Sequence, residues 1–125
     1  MSRLLGAAAS EILRAPVEAA EKIVQDHEIY VVLKGAHTIV AQPQGETFIA
    51  TVGNPGLAKG GSGDVLAGMI AAMIGQCPQT IDGILSGVVL HGQAAQRASQ
   101  THGIAGMRAR DVLEAAGDVF LEWQR

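Results

Sequence analysis

Apolar residues fall at helical spacing along much of this chain, interrupted by short runs that read as strands. Residues 2–10 are rich in Leu and Ala and predict a short helix. Pro16 suits the first turn of a second helix over residues 17–27, whose Val17, Ala20, Ile23 and Val24 recur at helical spacing. The run Ile29, Tyr30, Val31, Val32, Leu33 is β-branched, aromatic and unbroken by charge. Such a run predicts a strand buried on both faces, as in a helix-covered sheet. Residues 38–41 predict a second strand and residues 46–52 a third, joined as a hairpin through Pro43, Gln44 and Gly45.

Residues 53–63 show no periodicity and read as a loop. Residues 64–75 then predict a helix that is apolar almost all round and should be buried. A turn containing Pro78 leads to a long helix over residues 80–99. Gly83, Gly87 and Gly92 inside it predict close helix packing, at some cost in helix propensity. The last helix starts near Ala109 and carries Val112, Ala115, Val119 and Trp123 at helical spacing. No repeat, charge run or linker divides the chain, so residues 1–125 read as a single unit.

Composition then narrows the function. Hydrophobic residues make up 48% and charged residues 17%, which suits a folded chain with a modest core. Aromatic residues at 3% and a net charge of −3 argue against a nucleic-acid surface. No apolar run is long enough for a membrane span, and the N-terminus lacks the apolar core of a signal peptide. The single cysteine, Cys77, allows no internal disulfide and no cysteine-based zinc site, and it fits a reducing cytoplasm. His27, His37 and His102 have no metal-ligand spacing. His91, inside an apolar helix, reads as a packed core residue with a backbone partner.

The chemistry concentrates in Gly53-Asn54-Pro55-Gly56-Leu57-Ala58-Lys59-Gly60-Gly61-Ser62-Gly63-Asp64. A glycine-rich loop turns sharply and lets backbone N–H groups approach an anion. The helix that follows adds its unsatisfied amides and the positive end of its dipole. The Lys-Ser/Thr ending of a Walker loop is absent, and Leu66 stands where a dinucleotide fingerprint wants its third glycine. Asp64 alone would be most simply a helix cap. Beside a phosphate cradle, a carboxylate repels the ligand unless it has work to do, and taking a proton from an attacking hydroxyl is work that fits. A second cluster, Lys34, Gly35, Ala36, His37 and Thr38, closes the apolar run. It suits either a plain turn with an exposed Lys or a nucleotide contact at a strand's carboxyl end.

LKGAHT, GNPGLAKGGSGDVLAG and VVLHGQAA together resemble the C-terminal half of the ADP- or ATP-dependent NAD(P)H-hydrate dehydratases, which belong to the ribokinase-like superfamily. The resemblance spans nearly the whole chain. It implies an α/β chain carrying the C-terminal half of a three-layer α/β/α fold around a mostly parallel sheet. It also implies removal of water from a hydrated nicotinamide ring, driven by cleavage of ADP or ATP with Mg2+. Asp64 then matches the acid beside the reacting hydroxyl, touching the NAD(P)H-hydrate substrate. Gly61, Ser62 and Gly63 match the anion hole. Lys34, Gly35, Ala36, His37, Thr38 and Gly63 match residues that hold the nucleotide, and Asn54 matches a residue near phosphate or metal. No protein metal ligand is implied. Two departures accompany the match. Lys59 stands where the family more often has Thr or a similar small residue, and the family's His-Pro-Gly-Glu segment would precede Met1. A fragment or shortened reading frame is therefore expected, with an unpaired edge on residues 29–33 and association between copies of the chain. Two alternatives share the same loop: a ribokinase-like kinase of a small alcohol, and a truncated module that binds nucleotide without turnover.

Overall fold

The computed structural model describes residues 1–125. The single unit read from the sequence resolves into two compact units, Met1–Thr51 and Val52–Arg125. The division, between Thr51 and Val52, falls just past β3 and inside residues 46–52, which the sequence reads as the third strand.

The first unit holds α1 (Ser2–Leu5), α2 (Ala9–Arg14), α3 (Pro16–His27), β1 (Val31–Leu33), β2 (Thr38–Ala41) and β3 (Phe48–Ala50). The helix predicted over residues 2–10 is broken. Gly6 adopts a left-handed conformation, φ 61°, that stops α1 and lets the chain restart as α2. Pro16 does occupy the first turn of α3, and Glu28 closes that helix with its amide on Val24 O. The sheet order is β1-β2-β3 and both ladders are antiparallel, with Val32 opposite Val40 and Ile39 opposite Ile49. The hairpin through Pro43–Gly45 is present, and residues 34–37 form a second one between β1 and β2. No parallel pair lies within this chain.

Ala20, Ile23 and Val24 of α3 pack on Val31, Ile39 and Ala41. Removing a side chain such as Ile23 from water contributes roughly 2 kcal/mol. Burial on both faces belongs to β2, not to residues 29–33: Ile39, Val40 and Ala41 are all buried, while Ile29 and Tyr30 are exposed and lie outside the strand. The reason is topological. β2 is the central strand, and β1 lies at an edge, as expected from the resemblance.

The second unit is a helical layer of α4 (Ser62–Ile74), α5 (Thr80–Gly106) and α6 (Ala109–Trp123), entered through a 3-10 turn at Pro55–Leu57. Met69, Met73, Leu90, Ala94, Ala95, Ala98, Met107, Val112, Ala116 and Val119 form its core. Only one face of α4 is deeply buried. Leu66, Met69 and Met73 point inward, whereas Ala67, Gly68, Ala71 and Ala72 are exposed. The close packing predicted from the α5 glycines is present. A Cβ at Gly83 would stand 2.5 Å from Ile74 Cα, and one at Gly87 would stand 2.7 Å from Ile70 Cα. At Gly92 it would meet Val52 O at 2.7 Å. Helix α5 runs past its predicted end at residue 99 to Gly106. Gly103, at φ 71° and ψ 158°, breaks its last turn.

Candidate phosphate loop

The loop begins with an internal staple. Asn54 Oδ1 accepts from the Gly56 amide at 2.8 Å, and its Nδ2 donates to Ser99 Oγ at 3.0 Å. Ser99 in turn donates to Gln96 O at 2.8 Å, so the loop is anchored on α5. Gly56 is buried where a Cβ would collide with the Met107 side chain and stand 3.2 Å from Ile104 O. A side chain there would require the end of Met107 to move and the Ile104 carbonyl to give by a few tenths of an ångström.

Beyond the 3-10 turn, Gly61 takes a left-handed conformation, φ 84°, immediately before α4. A side chain there would be strained and would also crowd Ala109 Cβ at 3.3 Å. Ser62 turns inward. Its hydroxyl donates to Leu57 O at 2.6 Å and the residue is buried. The Ser62 carbonyl accepts from His91 Nε2 at 3.0 Å. A carbonyl only accepts, so Nε2 carries the hydrogen. His91 is thus the packed histidine with a backbone partner that its position predicts.

At the mouth of α4 the amides differ in their commitments. Val65 N bonds Gly61 O at 3.1 Å, and Ser62 N reaches Lys59 O at a long 3.4 Å. The amides of Gly63 and Asp64 bond no backbone carbonyl, and no side chain caps the helix. These are the orphan donors of a helix start. They lie at the positive end of the α4 dipole, where negative charge is favoured. Asp64 stands in the same first turn, exposed. Its carboxylate is not the cap that a lone aspartate would most simply be.

Gly61, Ser62, Gly63 and Asp64 share the start of α4 in the second unit, and Asn54 of the same unit stands ahead of the 3-10 turn that leads to them. Lys34, Gly35, Ala36, His37 and Thr38 belong to the first unit, where the first four form the exposed connection from β1 to β2 and half-buried Thr38 opens β2. Two clefts of about 280 and 330 Å3 run along α5 and α6, and residues 61–64 line neither. The first of them holds His102, Asp111, Glu114 and Asp118. Asp111 is committed there. The Arg108 guanidinium and then the Arg108 amide bond its carboxylate, holding it below the usual carboxylate range. No group of three or more His, Cys, Asp or Glu residues is arranged to hold a metal ion. No helix is long and apolar enough to cross a membrane.

From the sequence, Lys59 suits either a phosphate contact or solvent; the structure bonds its ammonium to main-chain carbonyls instead. Lys59 donates to Ile104 O at 3.0 Å, Ala105 O at 2.7 Å and Met107 O at 2.7 Å. Nothing local links position 59 to positions 104–107. The glycine at 103 was the one available hint.

The family described as NAD(P)H-hydrate dehydratase matches residues 1–117. An ADP/ATP-dependent NAD(P)H-hydrate dehydratase from Bacillus subtilis, crystallised with ATP and Mg2+, superposes with a TM-score of 0.92 at 30% identity. That match covers 97% of this chain and 44% of the Bacillus chain. The fold is thus part of the ribokinase-like α/β class, whose sheet and helices this chain shares. Among sequence relatives, the bifunctional NAD(P)H-hydrate repair enzyme Nnr of Moorella thermoacetica is 40% identical over 91% of this chain and 22% of its own length. The ADP-dependent (S)-NAD(P)H-hydrate dehydratase of Neisseria meningitidis is 38% identical over 92% of this chain and 39% of its own length. The chain belongs to the NAD(P)H-hydrate dehydratase family and spans well under half the length of these relatives.

Proposed function

We propose that this chain supplies the phosphate-binding loop and the general base of a nucleotide-dependent NAD(P)H-hydrate dehydratase. The observation that carries the reading is the pair of uncommitted amides at Gly63 and Asp64, set behind a left-handed Gly61 with a carboxylate in the same turn. The family match and the relatives' named activities support it.

In this reading the amides of residues 61–64 hold the terminal phosphate of ADP or ATP. Preorganised donors of this kind stabilise charge that develops during transfer. Asp64 takes the proton of the hydrate hydroxyl, whose oxygen then attacks the terminal phosphorus. The bond from phosphorus to the nucleotide's bridging oxygen breaks. Inorganic phosphate then leaves from the new ester with the C–O bonding pair, and a proton departs from the neighbouring ring carbon to solvent, restoring the double bond. Mg2+ supplies charge neutralisation on the nucleotide phosphates; with no carboxylate cluster to cage it, it would arrive as their complex, and no step is assigned to it. Lys34, Gly35, Ala36, His37 and Thr38 are assigned to the nucleotide, and Asn54 to holding the loop near the phosphates. A cytoplasmic setting and association between copies belong to the same proposal, the latter supported by the open edge of β1.

Incubation with hydrated NADH and ADP or ATP tests the reading through the return of reduced-nicotinamide absorbance. Phosphorylation of a small alcohol without that return would make the protein a kinase instead. Nucleotide-dependent thermal stabilisation with no turnover of either substrate would make it a binding module.

A further inference from the structure

We propose that Lys59 is a positioning residue for the phosphate loop: its ammonium ties the loop to the carbonyl end of α5 instead of meeting a phosphate. This rests on the reading of residues 61–64 as an anion site. An ammonium has three N–H donors and no acceptor. Here the three carbonyls of Ile104, Ala105 and Met107 stand at 3.0, 2.7 and 2.7 Å from Nζ and fill that capacity. They lie at the end of α5, where helix carbonyls lack internal partners and the dipole favours a cation. The break at Gly103 turns the last residues of the helix so that these oxygens face one point.

The same segment is held a second time. Gly56 sits against Met107 and Ile104 O, so the loop meets residues 104–107 within its 3-10 turn at Gly56 and again just beyond it at Lys59. This matters because Gly60, Gly61 and Gly63 have no side chains with which to pack. Their orientation must come from neighbours: Ser62 through Leu57 O, and Lys59 through α5. An anion site made of amides works only when those amides are already aimed.

The test compares Lys59→Ala with the unsubstituted protein in three measurements: ADP affinity by calorimetry, thermal unfolding, and hydrogen exchange at the bonded amides of Gly56, Leu57, Ala58 and Met107. The expected result is exchange faster by about tenfold at these amides and ADP binding weaker by about tenfold, with little change in melting temperature. Methylammonium, which carries N–H donors, should restore ADP affinity; tetramethylammonium at equal ionic strength, which has none, should not. Weakened ADP binding with unchanged exchange and no rescue would mean that Lys59 touches phosphate directly and would overturn the proposal. Unchanged ADP affinity would overturn it as well. Should Lys59→Ala fail to fold, Lys59→Met decides: it keeps the aliphatic stem and has no N–H donor, so exchange must still rise, and unsubstituted exchange rates would refute the clamp. If the unsubstituted protein binds no ADP, the proposed function falls, while the exchange measurement still reports whether Lys59 orders the loop.

Discussion

Replacing Gly87 by alanine sets two opposing effects against each other. In a helix interior alanine is favoured over glycine by about 1 kcal/mol, so propensity alone predicts stabilisation. At position 87, however, the new Cβ would stand 2.7 Å from Ile70 Cα and 2.9 Å from Ile70 N. These are backbone atoms of α4, which cannot swing aside as a side-chain end would. Relief requires α4 and α5 to separate and to loosen contacts around Met69, Met73 and Leu90. Overpacking of this kind costs about 3 kcal/mol at the upper end of its usual range. The expected net loss is about 2 kcal/mol, or a melting temperature about 6–8 °C lower for a chain of this size. Gly68 provides the matched comparison. It lies within exposed α4 surface with nothing within 4 Å of a new Cβ. Gly68→Ala should therefore raise the melting temperature by about 3–4 °C. Circular dichroism melts of the two variants beside the parent decide the matter. A Gly87→Ala protein at least as stable as the parent would refute the α4–α5 backbone contact.

Other expectations follow from the loop and its supports. Asp64→Asn should lower turnover of hydrated NADH by about 100- to 10,000-fold while leaving nucleotide affinity largely intact, measured by steady-state kinetics beside calorimetry. His91→Leu removes the donor from the Ser62 carbonyl inside the core and should cost about 1–3 kcal/mol in urea unfolding. Asp111 predicts an acid-side dependence. Its carboxylate pKa is lowered in the folded protein, so the stability it contributes is complete above the ordinary carboxylate value and disappears as pH falls through the lowered one. Denaturation curves taken across that range should be flatter for Asp111→Asn than for the parent.

Much of the candidate site could be read directly from the chain. A dense cluster of glycines followed at once by an apolar helix leaves few options besides a backbone-lined anion loop, and an acid at its end stands out for electrostatic reasons alone. The helices over residues 16–27 and 109–123 were legible for a different reason: each has one apolar face at the right period. The α5 glycines announced a close helix contact because nothing else justifies their cost in a helix interior.

What the chain's local pattern left open was every choice that depends on a neighbour distant in sequence. An unbroken apolar run says a segment can be buried on two sides, but sheet order decides which strand is central, and that honour went to β2. Lys59 suited a phosphate or solvent equally well because its partners lie 45 to 48 positions away, on carbonyls that carry no side-chain signature. Asn54 likewise found its second partner on α5, at Ser99. Periodicity and composition act along the chain and are visible in it; hydrogen bonds to main-chain groups depend on where folding brings any residue's backbone, so only the tertiary structure could assign them.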